Sequence, residues 1–310
     1  MEFTNLPETD LRVSRIILGC EQLGGTDWGE FNAVHARSAV ESAWDLGIIT
    51  FDVADVYGLG RAEEFLADCL GPKRKEAVII TKTGVNWRTT DDSSRAATFR
   101  DSSPRHIRDA LDASLRRLRL DCIPLYMIHW PDPQTPLENT IEALQDIQRS
   151  GKIRYFGISN FSQEWIEMAA RLGKPSAIQT SYSLLDRTAE QAILPTCSDL
   201  NLPVLAYGVL AQGLLTGKYN LSSSFPANDR RHRLQSFNEK SWEKTQAVLA
   251  KLELLARKHG KSVAQTAIRW VLDRTDVSCA IVGAKDGVQV AKNAESTGWH
   301  LTAEERLYFE

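Results

Sequence analysis

The sequence predicts a (β/α)8 TIM barrel, an α/β fold, that forms a single domain over residues 1–310. Eight short apolar runs recur along the chain, and helix-like segments separate most of them. The runs are apolar throughout, which is typical of parallel strands that are buried on both faces. A length of 310 residues suits one such barrel or two smaller domains, and the absence of a low-complexity linker favours one domain.

The predicted strands coincide with the apolar runs, and short helical segments connect most of them. In chain order they cover residues 16–18, 48–51, 77–81, 125–128, 153–158, 177–178, 204–207 and 279–282. Barrels of this kind place their active sites at the C-terminal ends of the strands. The residues that follow the runs are therefore the first candidates for function.

Three segments carry clear signals for helix starts. Ser103-Pro104 predicts the start of one helix, because proline fits the first helical position. Thr135-Pro136 predicts the start of a second helix, which Gly151 is expected to end. Thr302 and Glu305 have the spacing of a capping box, so the last helix is expected to begin there, close to the end of the chain.

The charge balance argues against a nucleic-acid partner. There are 37 lysine and arginine residues and 40 aspartate and glutamate residues, which gives a net charge of -3 without a broad basic surface. Residues 230–233 form a local basic cluster with the sequence RRHR. We interpret this cluster as part of a solvent-exposed loop.

The chain is expected to be a cytoplasmic protein with no membrane partner. Its N-terminus has no basic segment followed by an apolar stretch, and no apolar run approaches membrane-spanning length. The five cysteines are scattered and include no Cys-x-x-Cys pair, which argues against a metal site or a disulfide framework. Reduced thiols in a cytosol are the simpler interpretation.

Four reactive polar residues lie at or just beyond the ends of predicted strands: Asp52, Tyr57, Lys82 and His129. Tyr57 can protonate a carbonyl oxygen, and an ammonium group at Lys82 would lower the pKa of its phenol. Asp52 can neutralise Lys82, and His129 can donate a hydrogen bond to the substrate oxygen. None of these side chains accepts a hydride, so redox chemistry would need a cofactor.

Five motifs in order resemble the aldo-keto reductase family, and the similarity runs from about Leu18 to about Asn293. They are residues 51–58 (FDVADVYG), 81–82 (TK), 128–131 (IHWP), 157–161 (GISNF) and 281–285 (IVGAK). The resemblance implies a barrel that binds NADPH or NADP+ without a Rossmann fold. It also implies that Asp52, Tyr57, Lys82 and His129 are the catalytic tetrad.

The resemblance further implies a cofactor site. Its members are Ser159, Asn160 and Gln179 at the nicotinamide carboxamide, Tyr207 stacked on the nicotinamide ring, Leu210, Gln212 and Gly213 beside the pyrophosphate, and Gly283, Lys285, Gln289 and Asn293 at the adenosine end. Lys285 suits a 2'-phosphate, so we favour NADPH over NADH. Trp28, Trp87 and Trp130 follow strand ends and are predicted to line a substrate pocket, although tryptophan also packs well in cores.

The expected activity is reduction of an aldehyde or ketone to an alcohol, with a small carbonyl compound as partner. Two alternatives stay open: a regulatory or sensor subunit that binds the cofactor with little turnover, and a sugar or polyol dehydrogenase that works in the oxidative direction. Residues 84–103 and 222–237 form long polar segments that we interpret as functional loops. The second is predicted to close over the cofactor. Substrate identity and oligomeric state are left open, including a homo-oligomer.

Overall fold

The chain folds into a closed barrel of eight parallel strands, as predicted. This computed structural model describes residues 1–88, 96–234, 237 and 239–309. The strands are β1 (Phe3–Asn5), β2 (Arg12–Ser14), β3 (Ile16–Gly19), β4 (Thr50–Asp52), β5 (Val78–Thr83), β6 (Val85–Arg88), β7 (Ala97–Arg100), β8 (Ile123–Ile128), β9 (Ile153–Ser159), β10 (Ile178–Ser181), β11 (Val204–Tyr207) and β12 (Cys279–Gly283).

Helices follow most of the barrel strands. They are α1 (Ala33–Asp45), α2 (Arg61–Leu70), α3 (Pro104–Leu118), α4 (Leu137–Arg149), α5 (Gln163–Gly173), α6 (Ile193–Asp199), α7 (Glu239–His259), α8 (Val263–Leu272), α9 (Gly287–Ala294) and α10 (Ala303–Leu307). In the part of the chain that the structure describes, no helix is both long enough and apolar enough to cross a membrane.

The barrel strands are neighbours in the order β3, β4, β5, β8, β9, β10, β11 and β12, and β12 pairs with β3 to close the barrel. Each of the eight predicted runs overlaps one of these strands. Outside the barrel, the described residues form two antiparallel hairpins, β1–β2 and β6–β7. The second hairpin lies within the predicted loop 84–103, and its two strands flank residues 89–95. Those seven residues lie outside the described part of the chain.

The predicted helix starts are confirmed with one shift. The Ser103 hydroxyl accepts a hydrogen bond from the His106 N–H, and Pro104 is the first residue of α3. The capping box at Thr302 and Glu305 is formed. In α4, Pro136 is the N-cap and Leu137 the first helical residue, and the Thr135 hydroxyl donates to Asp132 at 2.7 Å.

The core has two parts. Residues inside the barrel, such as Ile17, Leu125 and Leu205, pack with Leu6 and Leu11 of the N-terminal hairpin and its turn, which cover one end of the barrel. A larger cluster fills the space between the strands and the helices. Each fully buried aliphatic side chain of this kind stabilises the fold by about 1.5–3 kcal/mol. The opposite end of the barrel, where the strands finish, is left free for polar residues.

Candidate active site

The four predicted catalytic residues meet at the C-terminal end of the barrel. Asp52 is the last residue of β4, Lys82 lies near the end of β5, and His129 follows β8 directly. Tyr57 lies in the loop between β4 and α2. Because β4 pairs with β5 and β5 with β8, these strand ends are side by side.

Lys82 and Asp52 form a buried ion pair. The Lys82 ammonium group donates to Asp52 Oδ1 at 2.7 Å and to the Val53 carbonyl at 2.9 Å. The other carboxylate oxygen of Asp52 accepts from Gln179 Nε2 at 2.7 Å. The Lys82 side chain is completely buried, so its position is fixed by these contacts and by the surrounding strands.

Tyr57 and His129 lie beside this pair and line the adjoining groove, whereas Lys82 does not line it. Their rings are 5.7 Å apart and nearly perpendicular, at 83°. The Lys82 nitrogen is 5.3 Å from the centroid of the Tyr57 ring. Burial and the nearby Lys82 charge lower the pKa of His129 well below its usual value, so the imidazole is neutral at neutral pH.

The structure corrects the expected effect on Tyr57. Burial raises the pKa of its phenol well above the usual value, and the carboxylates of Glu21 and Asp52 raise it further. The nearby Arg230 guanidinium opposes this effect without outweighing it. The lowered pKa that the sequence suggested, through Lys82, is therefore wrong for this chain, and the phenol stays protonated throughout the neutral range.

Next to the four residues lies the predicted nicotinamide site. Asn160, Gln179 and Tyr207 all line the groove that leads away from Tyr57. The Tyr207 hydroxyl donates to Asn160 Oδ1 at 2.7 Å, and Asn160 Nδ2 donates to the His129 carbonyl at 3.0 Å. Ser159 does not line the groove; its hydroxyl lies behind Asn160 and accepts a second bond from it at 3.0 Å.

The groove is about 800 Å³ in volume and extends from Tyr57 to Asn293. Leu210, Gln212 and Gly213 line its middle, where Ala211, Gln212 and Gly213 have positive φ angles of 46°, 53° and 101° and turn the backbone sharply. The far end is lined by Gly283, Lys285, Gln289 and Asn293, as predicted, and also by Lys292. Sequence reasoning missed Lys292, which faces this end from α9.

A short segment crosses the groove. We call residues 226–233 the strap. Asp229 pairs with Trp28 in an antiparallel bridge, the Arg230 N–H donates to the Asp27 carbonyl at 2.8 Å, and Lys285 Nζ donates to the Trp28 carbonyl at 2.8 Å. The first two contacts join the strap to the loop that follows β3, and the third joins that loop to Lys285.

The basic cluster in the strap is only partly the solvent-exposed loop that its composition suggested, since His232 and Arg233 are exposed and Arg231 is buried. Arg231 is buried and forms an ion pair with Asp229, and its guanidinium lies 4.3 Å from the centroid of the Phe225 ring. Arg230 lines the groove and pairs with Glu21 at 2.5 Å. The interpretation fails for Arg230 and Arg231, because a carboxylate compensates the charge of each, and Glu21, the partner of Arg230, comes from a distant part of the chain.

The three predicted substrate residues have different positions. Trp28 and Trp130 both line the groove, and Trp130 is partly exposed. Trp87 belongs to the hairpin β6–β7, and the structure does not bring it to the groove, which that hairpin reaches through Val85 and Thr98. Sequence reasoning also missed Glu21, although it comes soon after β3 and so had the same strand-end signal as Asp52.

Residues 15–308 match the model of the Aldo/keto reductase family, which is nearly the whole chain. The chain belongs to the aldo-keto reductase family. It is 34% identical to Aldo-keto reductase YhdN of Bacillus subtilis (strain 168), over 99% of this chain and 92% of the relative. It is 29% identical to an NADH-specific methylglyoxal reductase of Escherichia coli (strain K12), over 96% of this chain and 94% of the relative.

A solved structure confirms the fold of this aldo-keto reductase. The structure of the glycerol dehydrogenase AKR11B4 from Gluconobacter oxydans superimposes with a TM-score of 0.91 at 39% sequence identity, covering 99% of this chain and 93% of the other. The chain is therefore an oxidoreductase of this family, whose members use nicotinamide cofactors.

The groove fits such a cofactor. Within the described residues, its lining includes three buried polar atoms without a hydrogen-bond partner, Gln22 Oε1, Trp28 Nε1 and His129 Nδ1, which polar ligands can satisfy. The Gln22 side chain packs against Gly283. A Cβ atom at position 283 would lie only 2.4 Å from Gln22 Nε2. Gly283 therefore keeps room for Gln22 beside the groove, which explains a glycine at this strand end.

Proposed function

We propose that the chain is an NADPH-dependent oxidoreductase that reduces a small aldehyde or ketone to an alcohol, with Tyr57 as the general acid. The observation that carries this proposal is the buried Lys82–Asp52 pair behind Tyr57 and His129, at the inner end of a groove of dinucleotide size. The family membership supports the same reaction class.

The cofactor supplies a hydride to the carbonyl carbon when it is bound. The chain's own residues then handle the oxygen. Tyr57 donates its phenolic proton to the carbonyl oxygen, and the neutral His129 donates a hydrogen bond to the same oxygen as negative charge develops. The hydride and the proton together complete the two-electron reduction to an alcohol, and the barrel holds both reactants in contact.

The raised pKa of Tyr57 favours the reductive direction, from carbonyl compound to alcohol. A phenol that stays protonated is ready to donate, and it releases its proton as the carbonyl oxygen gains charge during hydride transfer. Lys82 and Asp52 are buried behind it as a compensated pair and hold the site's shape. Asn160, Gln179 and Tyr207 would hold the nicotinamide end of the cofactor, with Ser159 supporting Asn160 from behind.

The preference for NADPH rests on two cations at the adenosine end, Lys285 and Lys292. The neighbouring Asp286 carboxylate is occupied as the N-cap of α9, where it accepts from the Gln289 N–H at 2.7 Å. A 2'-phosphate would therefore lie near the ammonium groups of Lys285 and Lys292. The Lys285 ammonium group also donates a hydrogen bond to the Trp28 carbonyl. Because a relative is NADH-specific, this preference needs a direct test.

We expect Lys285→Ala to raise the dissociation constant of NADPH by about tenfold or more, since charge-assisted hydrogen bonds are about twice as strong as neutral ones. NADH, which lacks the 2'-phosphate, should change less than about threefold. Fluorescence titration of both cofactors measures this. Lys251→Ala, at a lysine outside the groove, serves as the control. Equal affinities of the unaltered chain for NADPH and NADH would contradict the preference.

The strap is proposed to hold the cofactor in the groove. We expect NADPH to slow tryptic cleavage after Arg230 and Arg231 by about fivefold or more, because the bound cofactor suppresses local opening of the strap. Mass spectrometry of timed digests locates the cuts. Adenosine monophosphate, which would occupy only the far end of the groove, is the control ligand. Equal cleavage rates with and without NADPH would count against closure.

Oxidation of a polyol is the second candidate, because the solved structure with 39% identity is a glycerol dehydrogenase. Polyol oxidation would replace carbonyl reduction as the proposed function if the turnover rate with NADP+ and a polyol exceeded the rate with NADPH and the corresponding carbonyl compound at neutral pH. A sensor role would be indicated instead by quenching of cofactor fluorescence without consumption of carbonyl compounds. We also place the protein in the cytoplasm, on the basis of its five unpaired cysteines.

A further inference from the structure

A buried polar layer lies outside the strand that carries Lys82, and the proposed reaction does not use it. Thr81 and Thr83 alternate with Lys82 on β5, so their side chains point out of the barrel towards α2 and α3. Glu63 of α2 is completely buried in this layer. Its Oε1 accepts from the Thr81 hydroxyl at 2.6 Å, and its Oε2 accepts from Arg117 Nε of α3 at 2.6 Å.

Asp55 joins this layer from the loop after β4. The parallel ladder of β4 with β5 continues into that loop, where the Val53 N–H donates to the Ile80 carbonyl at 2.8 Å. The Asp55 N–H then donates to the Lys82 carbonyl at 3.3 Å. Continued by three residues, the register of the ladder places Asp55 beside Thr83. Neighbouring strands are about 4.8 Å apart, and side chains at paired positions point to the same face.

The side chains of Asp55 and Thr83 are both completely buried. Within the part of the chain that the structure describes, no hydrogen bond is formed at either carboxyl oxygen of Asp55 or at Thr83 Oγ1. Tyr126 lies on β8 in the same layer, and its hydroxyl donates to the Ile107 carbonyl at 3.5 Å. Buried polar atoms in folded proteins nearly always have a partner, so a bond between the neighbours Asp55 and Thr83 is favoured.

The surroundings of Asp55 favour its neutral form. The Arg117 guanidinium is already paired with Glu63, and a buried carboxylate without a paired cation is costly. Burial raises the pKa of the Asp55 carboxyl well above its usual value, and the Glu63 carboxylate raises it further, whereas Arg117 opposes the rise. A protonated carboxyl group both donates and accepts, as a hydroxyl group does, so the two groups are complementary.

We propose that Asp55 is a positioning residue for Tyr57: as a neutral carboxylic acid it pairs with the Thr83 hydroxyl and joins the Tyr57 loop to the strand that carries Lys82. This inference rests on the proposed function, because it acts through the proton donor Tyr57. Asp55 precedes Tyr57 by two residues, and the Tyr57 N–H donates to the Ala54 carbonyl at 3.1 Å. A shift of Asp55 therefore moves the phenol relative to Lys82.

Removing the Thr83 hydroxyl tests this link. We expect Thr83→Val to lower kcat by about tenfold or more, since a displacement of about 1 Å at a reacting group can cost a hundredfold. The dissociation constant of NADPH should change little. Thr83→Ser keeps a hydroxyl group and should restore kcat. Thr266→Val is the control with normal kcat, because Thr266 is equally buried but donates to the Ser262 carbonyl within α8 and its N-cap.

A double-mutant cycle separates positioning from a general loss of structure. In a Tyr57→Phe background, Thr83→Val should lower the single-turnover rate by less than about twofold, because the two changes act through the same group and are not additive. Equal losses in both backgrounds would overturn the inference. So would a normal kcat of Thr83→Val.

Two further measurements need no turnover. At neutral pH, the infrared difference spectrum between the unaltered chain and Asp55→Asn should contain the band of a protonated carboxyl group, and the band of a carboxylate would overturn the inference. Amide hydrogen exchange of the segment 53–57 should become about fivefold faster in Thr83→Val and recover in Thr83→Ser. Exchange that stays unchanged in Thr83→Val would also overturn it.

These measurements separate the inference from the reductase proposal. If the infrared and exchange results hold but Tyr57→Phe turns over at a near-normal rate, the link exists and Tyr57 alone loses its role as proton donor. If Tyr57→Phe is slow while Thr83→Val has normal kcat and normal exchange, the positioning role of Asp55 alone is refuted.

Discussion

Replacing Tyr57 with phenylalanine is expected to lower kcat by about two to four powers of ten, the usual contribution of a general acid. The substitution removes one hydroxyl group and keeps the ring, so the perpendicular contact with His129 is retained. The dissociation constant of NADPH should change little, because Asn160, Gln179 and Tyr207 would hold the nicotinamide. Stopped-flow measurement of a single turnover reports the chemical step directly.

The control for this prediction removes a phenol from the opposite end of the barrel. The Tyr155 hydroxyl donates to Asp10 at 2.9 Å in an exposed contact near the N-terminal hairpin. Tyr155→Phe should therefore keep normal turnover and normal cofactor affinity. If Tyr57→Phe also turned over at a near-normal rate, Tyr57 could not be the proton donor, and another group in the groove would have to take that role.

The barrel and the four polar residues could be predicted from the sequence for one physical reason. Parallel strands buried on both faces have continuous apolar runs, and such a run ends where the chain leaves the core. The residue at that point is then at the C-terminal edge of the barrel, so Asp52 and Lys82 identify the active end from local sequence alone. Their bonding partner Gln179 likewise directly follows the apolar run 177–178, although β10 continues to Ser181.

The strap could not be predicted in the same way, because its structure depends on contacts between distant parts of the chain. The basic composition of residues 230–233 predicted that Arg230 and Arg231 lie on the surface. Nothing near Arg230 in the sequence indicates that the Glu21 carboxylate compensates its charge. For Trp87 the error is the opposite one, because this residue was predicted to line the substrate pocket and does not line the groove. It follows a strand end, but the chain forms the hairpin β6–β7 there, and register within the hairpin decides which side chains reach the groove. Position after a strand end is therefore a weaker signal in long loops.

The second large effect is expected for Lys82→Met, which removes the cation of a completely buried ion pair. Among the residues that the structure describes, the Asp52 carboxylate would then keep the Gln179 amide as its one side-chain partner. Loss of one member of a buried pair costs about 3–5 kcal/mol, because the other charge stays buried without compensation. We expect the free energy of unfolding, measured by urea denaturation, to fall by this amount. Turnover should fall by about a hundredfold or more, as the charged groups behind Tyr57 are disturbed.

Two further variants separate stability from catalysis. Lys152→Met breaks an exposed pair in which Lys152 and Asp112 are 2.6 Å apart and about half exposed, so it should cost less than about 1 kcal/mol. The double variant Asp52→Asn/Lys82→Met removes both buried charges, and most of the lost stability should return because no uncompensated charge is left. Its turnover should stay low. Restored turnover in the double variant would mean that the pair serves folding alone and that Tyr57 and His129 need no charged partner behind them.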